Sequence, residues 1–231
     1  MVTLIAGRPC AIARDTVPPR WQLKACGGRM VIPVEGTWSS LEAFAPVADL
    51  VRVLYVFQGD LVPTPMNDFA TLATLVIQPG VGDFTLDLVD LPKLSELSLC
   101  RRARLAVPQG CGLEVLHLER PHPDVLAVLP RLPRLHRLKI YGAFPRELPA
   151  SLRVFDVAGA RAPDRLSALP LLRELELTRI TGLSNLAIVA DSRDLARVVV
   201  EDVPGFTSMH PFEGGALETL LIGDVPLRTT R

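Results

Sequence analysis

Two acidic residues separated by a single position, Glu174 and Glu176, form a pair that could carry out chemistry. Two carboxylates that face one pocket can act as a general acid and a general base. No pocket partner accompanies this pair in the sequence, and charged residues at alternating positions are typical of a solvated strand face. We therefore predict that the pair is not catalytic and that the protein is not an enzyme.

Histidine and cysteine side chains are the second group that could do chemistry, because Zn²⁺ binds imidazole nitrogen and thiolate sulfur. His117 and His136 lie near Cys100 and Cys111 in the sequence, but the four cysteines of the chain form no C-x-x-C pair. Surface histidines and buried cysteines account for these residues better. The G-x-G within QPGVGDF, residues 78–84, lacks the third glycine of a dinucleotide site. We predict no metal site and no cofactor.

Composition limits the remaining function classes. The 231 residues include 25 basic and 25 acidic side chains, so no net charge favours nucleic acid or an anionic membrane as a partner. The longest uncharged run, residues 69–82, is shorter than the roughly 20 apolar residues that span a bilayer. The first residues do not resemble a secretory signal, and the few cysteines are typical of a reduced, cytoplasmic protein. The abundance of arginine over lysine, with much Ala, Pro and Gly, is typical of a GC-rich, bacterial genome.

The elements that must position the charged residues are indicated by a phrase that recurs along the chain. LPRLHRLKI begins at Leu132, and similar phrases begin at Leu91 and Leu169. In each phrase, apolar residues stand three and then two positions apart. Degenerate copies extend the series, so that the first apolar residue of this pattern lies at positions 50, 72, 94, 113, 135, 152, 172, 195 and 217.

This pattern resembles the leucine-rich repeat, L-x-x-L-x-L. The resemblance implies an α/β, β-dominated solenoid with a parallel β-sheet on its concave face, and short helices, 3₁₀ turns or extended segments on its convex face. Residues two apart in a strand share a face. Leu138 and Ile140 are therefore predicted to point into the core, and Arg137, Lys139 and Tyr141 to point outward. One such strand cannot bury its apolar face alone, so neighbouring repeats must stack.

The segments between the motifs also fit this fold. PDVLAVLPRL at 123–132 and PDRLSALPLL at 163–172 predict short helices, because each has Pro-Asp at its start and a second proline at its end. The chain departs from many leucine-rich repeats because no asparagine follows the motifs. We therefore predict no asparagine ladder along the turns.

The two ends of the chain are predicted to differ. Residues 1–46 are interpreted as an N-terminal cap with a β-hairpin over residues 21–38, whose turn is Gly27-Gly28. Residues 47–231 are interpreted as a solenoid of about nine repeats. Few residues follow Ile222, so the last strand, Leu217 to Ile222, is predicted to be open to self-association.

The variable motif positions are the candidate binding residues. The resemblance implies that they line the concave face and contact a protein partner. Arg137, Lys139 and Tyr141 form a basic and aromatic cluster with acidic neighbours, which predicts a partner surface with an acidic centre, although charges that serve only solubility explain the pattern equally well. The candidate partner-binding residues are Glu96, His117, Glu119, Arg137, Lys139, Tyr141, Asp156, Glu174, Glu176 and Arg197.

The leading functional hypothesis is a non-catalytic, scaffold-like protein–protein interaction module. Three alternatives stay open at this point. The protein could be an inhibitor or immunity-type protein that blocks a partner enzyme, or a structural subunit of a larger assembly. A small-ligand or enzymatic site in residues 1–46 is the third alternative.

Overall fold

The computed structural model describes residues 2–59, 61, 66–78, 83–100, 103–212 and 217–223. The chain divides into two compact units, Met1–Glu114 and Val115–Arg231. In each unit, six of the described strands form a mainly parallel sheet joined by loops and a few short helices. This architecture is the predicted β-dominated leucine-rich-repeat solenoid.

Unit 1 contains eight strands among its described residues. Its main sheet has the strand order β1-β2-β3-β4-β5-β7, in which β1 and β2 are antiparallel and the other pairs are parallel. Strands β6 and β8 form a separate parallel pair. The bounds are β1 Val2–Ile5, β2 Arg8–Ile12, α1 Arg20–Ala25, β3 Arg29–Ile32, β4 Val53–Val56, β5 Thr74–Ile77, β6 Phe84–Asp87, β7 Glu96–Leu99 and β8 Ala103–Ala106, with 3₁₀ helices at Glu42–Leu50 and Leu88–Asp90.

Unit 2 is more regular, because every pair of neighbouring strands in it is parallel and in register. Leu138 lies opposite Leu116 on one side and Phe155 on the other. The bounds are β9 Val115–Glu119, α2 Pro123–Val128, β10 Arg137–Tyr141, β11 Val154–Ala158, β12 Glu174–Thr178, β13 Arg197–Glu201 and β14 Thr219–Gly223, with 3₁₀ helices at Leu129–Arg131 and Ala187–Val189.

Alternation along each strand separates core from surface. In β10, Leu138 and Ile140 are fully buried, whereas Arg137 and Tyr141 are exposed. The same alternation holds in β9 and β12. Burying each leucine or isoleucine contributes about 1.5–3 kcal/mol, so the stacked rows of aliphatic side chains hold the repeats together. The predicted inward and outward positions of β10 are confirmed.

The β-hairpin predicted over residues 21–38 is wrong. Residues 20–25 form helix α1, and β3 pairs in parallel with β2 and β4. Gly27 and Gly28 end the helix, since the Gly28 N–H donates to the Leu23 carbonyl at 2.8 Å. Glycine is required at position 28, because its φ is +73° and a Cβ there would lie 2.4 Å from the Leu50 carbonyl oxygen. The hairpin of this unit is β1–β2, which turns at residues 6–7.

The motif in β4 begins one residue later than the sequence predicts. The prediction starts at Leu50 and places Leu54 and Val56 at outward positions. In the structure Leu54 and Val56 are fully buried, Tyr55 is half-buried on the opposite face, and the motif begins at the buried Val51. Strand side chains have a period of two, so a slip of one residue exchanges the two faces.

Only one of the two predicted connecting helices forms. Helix α2 and the 3₁₀ turn that follows it occupy residues 123–131 of the predicted 123–132, whereas residues 163–172 contain no helix. The segment between β11 and β12, residues 159–173, is two residues shorter than the one between β9 and β10, residues 120–136. A helix advances 1.5 Å per residue and an extended chain about 3.3 Å, so the shorter connection reaches the next strand by extending.

Hydroxyl groups take the place of the missing asparagine ladder. The Ser151 hydroxyl donates to the Leu135 carbonyl at 2.8 Å, and the Ser192 hydroxyl donates to the Leu169 carbonyl at 3.0 Å. Each bond joins one repeat to the preceding one, and Ser192 is fully buried. Such bonds contribute about 0.5–1.5 kcal/mol each. The Leu169 carbonyl also accepts from the Leu172 N–H at 3.1 Å.

Candidate functional site

The outward side chains of β9–β13 form a continuous surface in unit 2, here called the open face. The parallel register places the third residue of each of four neighbouring strands side by side, in the order His117, Lys139, Asp156, Glu176. Neighbouring strands lie about 4.8 Å apart, so these side chains are within reach of one another. Nine of the ten predicted site residues lie on this face, namely His117, Glu119, Arg137, Lys139, Tyr141, Asp156, Glu174, Glu176 and Arg197.

An internal ion pair occupies the centre of the open face. The Lys139 Nζ lies 2.5 Å from Asp156 Oδ2, and the Asp156 side chain is only 15% exposed. The same Nζ lies 5.1 Å from the centroid of the Tyr141 ring, within cation–π distance. Burial alone would lower the pKa of the Lys139 ammonium, but its hydrogen bonds to Asp156 and Tyr141 outweigh burial and raise that pKa above its usual value. Lys139 therefore stays charged, and Asp156 neutralises it within the protein.

The other charges of the open face form weaker ion pairs, or none within 4.0 Å among the described residues. Arg197 Nη1 lies 3.9 Å from Glu174 Oε2, and both side chains are nearly half exposed, so this pair is weak. Within the described part of the chain, neither Arg137 nor Glu176 has an ion-pair partner within 4.0 Å. Among the described residues, Arg137 and Glu176 are therefore an unpaired cation and an unpaired anion near the Lys139–Asp156 pair.

A depression of about 310 Å³ opens on this face. Its lining also includes the inward residues Leu138, Phe155 and Leu175 of β10, β11 and β12. Its volume is at the lower end of the range for small-ligand pockets, and charged side chains dominate its rim. The predicted site residues that line it are His117, Arg137, Lys139, Asp156, Glu174, Glu176 and Arg197.

The tenth predicted residue, Glu96, belongs to unit 1. It is half-buried at the start of β7, and the Thr74 hydroxyl donates to its Oε2 at 3.3 Å. Burial raises the pKa of the Tyr55 phenol, and the nearby Cys10 and Glu96 raise it further. The structure therefore associates Glu96 with Tyr55 in unit 1.

Sequence reasoning missed the aromatic residues of unit 1 on this side of its sheet. Tyr55 and Phe57 are half-buried, with ring centroids 6.1 Å apart. Because the sequence-based prediction starts the β4 motif at Leu50, it assigns Tyr55 to the core and omits it from the candidate site. The buried residue Val51 is an equally good apolar start in the sequence, so the correct alternative was present but not selected by pattern alone.

The described residues bring together no group of three or more His, Cys, Asp or Glu side chains that could hold a metal ion. Cys100 and Cys111 are buried in unit 1, and His117 and His136 belong to unit 2. In the part of the chain that the structure describes, no helix is long and apolar enough to cross a membrane.

Comparison with known proteins identifies the fold. No family model and no curated protein matches the chain. Ten chains of solved structures match it, and one of these is described as the crystal structure of a TLR13–ssRNA13 complex. The TM-score is 0.61 with 15% sequence identity, and the alignment covers 94% of this chain but 37% of that chain. TLR13 is a leucine-rich-repeat protein, and a likeness at this identity establishes the shared solenoid fold alone.

Proposed function

We propose that this protein is a non-catalytic interaction module that binds a protein partner through the open face of unit 2. The observation that carries the proposal is that Arg137 and Glu176 have no ion-pair partner among the described residues. Both line the same depression of the sheet as the half-buried Lys139–Asp156 pair. The leucine-rich-repeat fold supports it, because stacked strands present side chains from several repeats to one partner.

The arrangement of charges indicates what the partner must offer. The Lys139–Asp156 pair is already satisfied, so a partner gains little by competing for it. Arg137 would pair with a carboxylate of the partner and Glu176 with a cation. Complementary charges of this kind increase the specificity and rate of association. The sequence predicts a partner surface with an acidic centre. The structure narrows the partner's acidic contact to Arg137, because Lys139 is already paired with Asp156.

Two narrower forms of the proposal use the same surface. An inhibitor or immunity-type protein would use it to cover a partner enzyme, and a structural subunit would use it to join an assembly. The TLR13 structure contains ssRNA13, but here the equal numbers of acidic and basic residues favour protein over nucleic acid. A bacterial and cytoplasmic origin remains a prediction from composition and from the first residues. The division of the chain at residue 46 remains a prediction from the place where the repeats begin.

Exchanging the two free charges tests the proposal. The double variant Arg137→Glu/Glu176→Lys keeps the net charge and reverses the polarity of the open face. We expect the variant to bind a partner purified from the native host about 2–5 kcal/mol more weakly if the charges become buried in the complex, measured by isothermal titration calorimetry. Its thermal unfolding should stay close to that of the unmodified protein, because Arg137 is exposed and Glu176 is half-buried without an ion pair in the described part.

A matched control lies in the segment between β11 and β12. Asp164 and Arg165 are both exposed, so Asp164→Lys/Arg165→Glu makes the same exchange away from the open face. It should leave partner affinity unchanged. Normal binding by the open-face variant, together with loss of binding in Trp21→Ala/Lys24→Glu on α1, would instead assign the function to the N-terminal residues.

We also propose that the protein associates with itself through β14. This strand pairs only with β13 among the described residues, and Leu220 and Leu221 are 41% and 52% exposed. An apolar strand edge with free backbone groups is a template for pairing with a second chain. Residues 213–216 and 224–231, next to this strand, lie outside the described residues.

Light scattering across a concentration series tests the association. The average mass of the unmodified protein should rise with concentration, and Leu221→Lys should keep it at the monomer mass, because a charge opposes burial of the edge. Leu171→Lys is the control, since Leu171 is 44% exposed and lies outside β14. A constant monomer mass for the unmodified protein at high concentration would show that the edge does not pair.

A further inference from the structure

Arginine residues collect along one edge of the unit 2 sheet. Arg137 and Arg197 are the first residues of β10 and β13, and Arg153 and Arg173 immediately precede β11 and β12. Because these strands are parallel, their first residues all lie at the same edge of the sheet. These four residues are here called the arginine edge.

Backbone hydrogen bonds join the members of the arginine edge directly. The Arg173 N–H donates to the Arg153 carbonyl at 2.9 Å, and the Arg197 N–H donates to the Arg173 carbonyl at 2.9 Å. The Arg153 N–H donates to the carbonyl of His136, the residue before Arg137, at 2.8 Å. Arg153 and Arg173 therefore occupy the same level on neighbouring strands, which lie about 4.8 Å apart, so one extended ligand can reach both.

The charges of this edge are largely unneutralised. Arg137, Arg153 and Arg173 are exposed, and within the described ranges none has a carboxylate within 4.0 Å. In the part of the chain that the structure describes, the ion-pair contact of Arg197 is the one with Glu174 at 3.9 Å. Like charges on neighbouring strands repel one another. A bound anion would relieve this repulsion, so the arginines favour binding of a negatively charged ligand.

Two depressions flank the arginine edge. Arg137 and Arg197 line the depression of about 310 Å³ on the open face. Arg173, Arg197 and a further residue, Arg193, line a second depression of about 850 Å³. The second depression also contains the apolar side chains Phe212 and Leu217, and its acidic lining residues are Glu174, Asp194 and Glu218.

We propose that the arginine edge binds an acidic segment of the protein partner, whose carboxylates pair with Arg153 and Arg173 while an apolar side chain packs against Phe212. Guanidinium groups bind carboxylates through two parallel hydrogen bonds, which gives such contacts both strength and geometric specificity. The inference rests on the proposed function and adds to it the chemistry of the partner.

The same surroundings favour a peptide over a nucleic acid. Glu174, Glu176 and Asp156 lie beside the arginines, and a continuous chain of phosphates could not avoid them. A peptide can place its carboxylates one at a time, between these residues. The apolar patch at Phe212 and Leu217 accommodates one side chain, whereas single-stranded nucleic acids use several aromatic residues for successive bases.

Fluorescence anisotropy with a labelled, glutamate-rich peptide that carries one leucine tests the inference at low salt. The protein should bind this peptide and not a lysine-rich peptide of the same length. The variant Arg153→Glu/Arg173→Glu should bind it at least about tenfold more weakly. Arg146→Glu/Arg165→Glu changes the net charge equally at two exposed arginines of the connecting segments and should bind within about twofold of the unmodified protein.

Several outcomes would overturn the inference. It fails if the peptide does not bind, or if the control variant loses as much affinity as the edge variant. A single-stranded RNA of equal charge that binds more tightly and depends on Arg153 and Arg173 would reassign the edge to nucleic acid. If charge reversal disturbs folding, Arg153→Gln/Arg173→Gln removes the charges without reversing them and should still weaken peptide binding.

The two proposals fail independently. The host partner could depend on Arg137 and Glu176 while the acidic peptide does not bind, and then the open-face function stands and the arginine edge does not. In the opposite result, peptide binding depends on Arg153 and Arg173, and the Arg137→Glu/Glu176→Lys variant binds the host partner normally. The arginine-edge proposal would then stand, and the open-face proposal would be wrong.

Discussion

Leu138→Ala is expected to lower the free energy of unfolding by about 2–5 kcal/mol, because it removes buried methyl groups and leaves a cavity that its neighbours fill only in part. Leu138 is fully buried in β10, and Leu116 and Phe155 are its partners in the adjacent strands. Urea unfolding followed by circular dichroism provides the measurement. The midpoint should fall clearly while the slope stays the same.

The matched control is the residue before it. Arg137 is exposed and has no ion pair in the described part of the chain, so Arg137→Ala should change stability by less than about 0.5 kcal/mol. Lys139→Ala is a poorer control, because it would leave the Asp156 carboxylate, 15% exposed, without its cation. Equal losses at Leu138 and Arg137 would contradict the assignment of faces in β10.

Leu54→Asp is expected to be at least as destabilising, by about 3–5 kcal/mol or more. Leu54 is fully buried in β4, opposite Met30 and Leu75, and a carboxylate there has no described partner. Burying an unpaired charge is costly enough that the side chain takes up a proton or the surrounding structure opens. Thermal unfolding should therefore occur at a much lower temperature than in the unmodified protein.

Tyr55→Asp is the matched comparison in the same strand. Tyr55 is half-buried on the opposite face, so the new carboxylate can reach water, and the loss should be about 1 kcal/mol from weakened contact with Phe57. The contrast between the two variants distinguishes the observed register of β4 from the one that the sequence pattern predicts. If Tyr55→Asp is more destabilising than Leu54→Asp, the register in which the motif starts at Leu50 is correct.

The candidate site was predictable in outline, since the alternation in β9 to β13 identifies the outward residues without a structure. The pairing of Lys139 with Asp156 was not predictable. These residues belong to successive repeats, and which outward residues become neighbours depends on how the strands align across connections of unequal length. The arginine edge was not predictable for the same reason. Its members are neighbours only because four strands begin at the same level of the sheet.

At the N-terminal end, local signals were misleading. A Gly-Gly pair between two apolar runs is typical of a hairpin, and the observed helix C-terminus needs the same residue type for the same reason, a positive φ. The choice between them came from distant residues. The Gly28 carbonyl accepts hydrogen bonds from the N–H groups of Arg52 and Val53, which places β3 in parallel beside β4.

The sequence by itself determined the fold class, because apolar residues spaced three and then two apart over most of the chain can be buried only by stacking strand after strand. It also determined which residues of the regular repeats face outward, since a strand has a period of two. The tertiary structure alone decided the register of β4, the replacement of an asparagine ladder by serine hydroxyls, and the partners of each charge. Those features depend on contacts between residues of different repeats, whose distances are set by the packing of the connecting segments rather than by any local pattern.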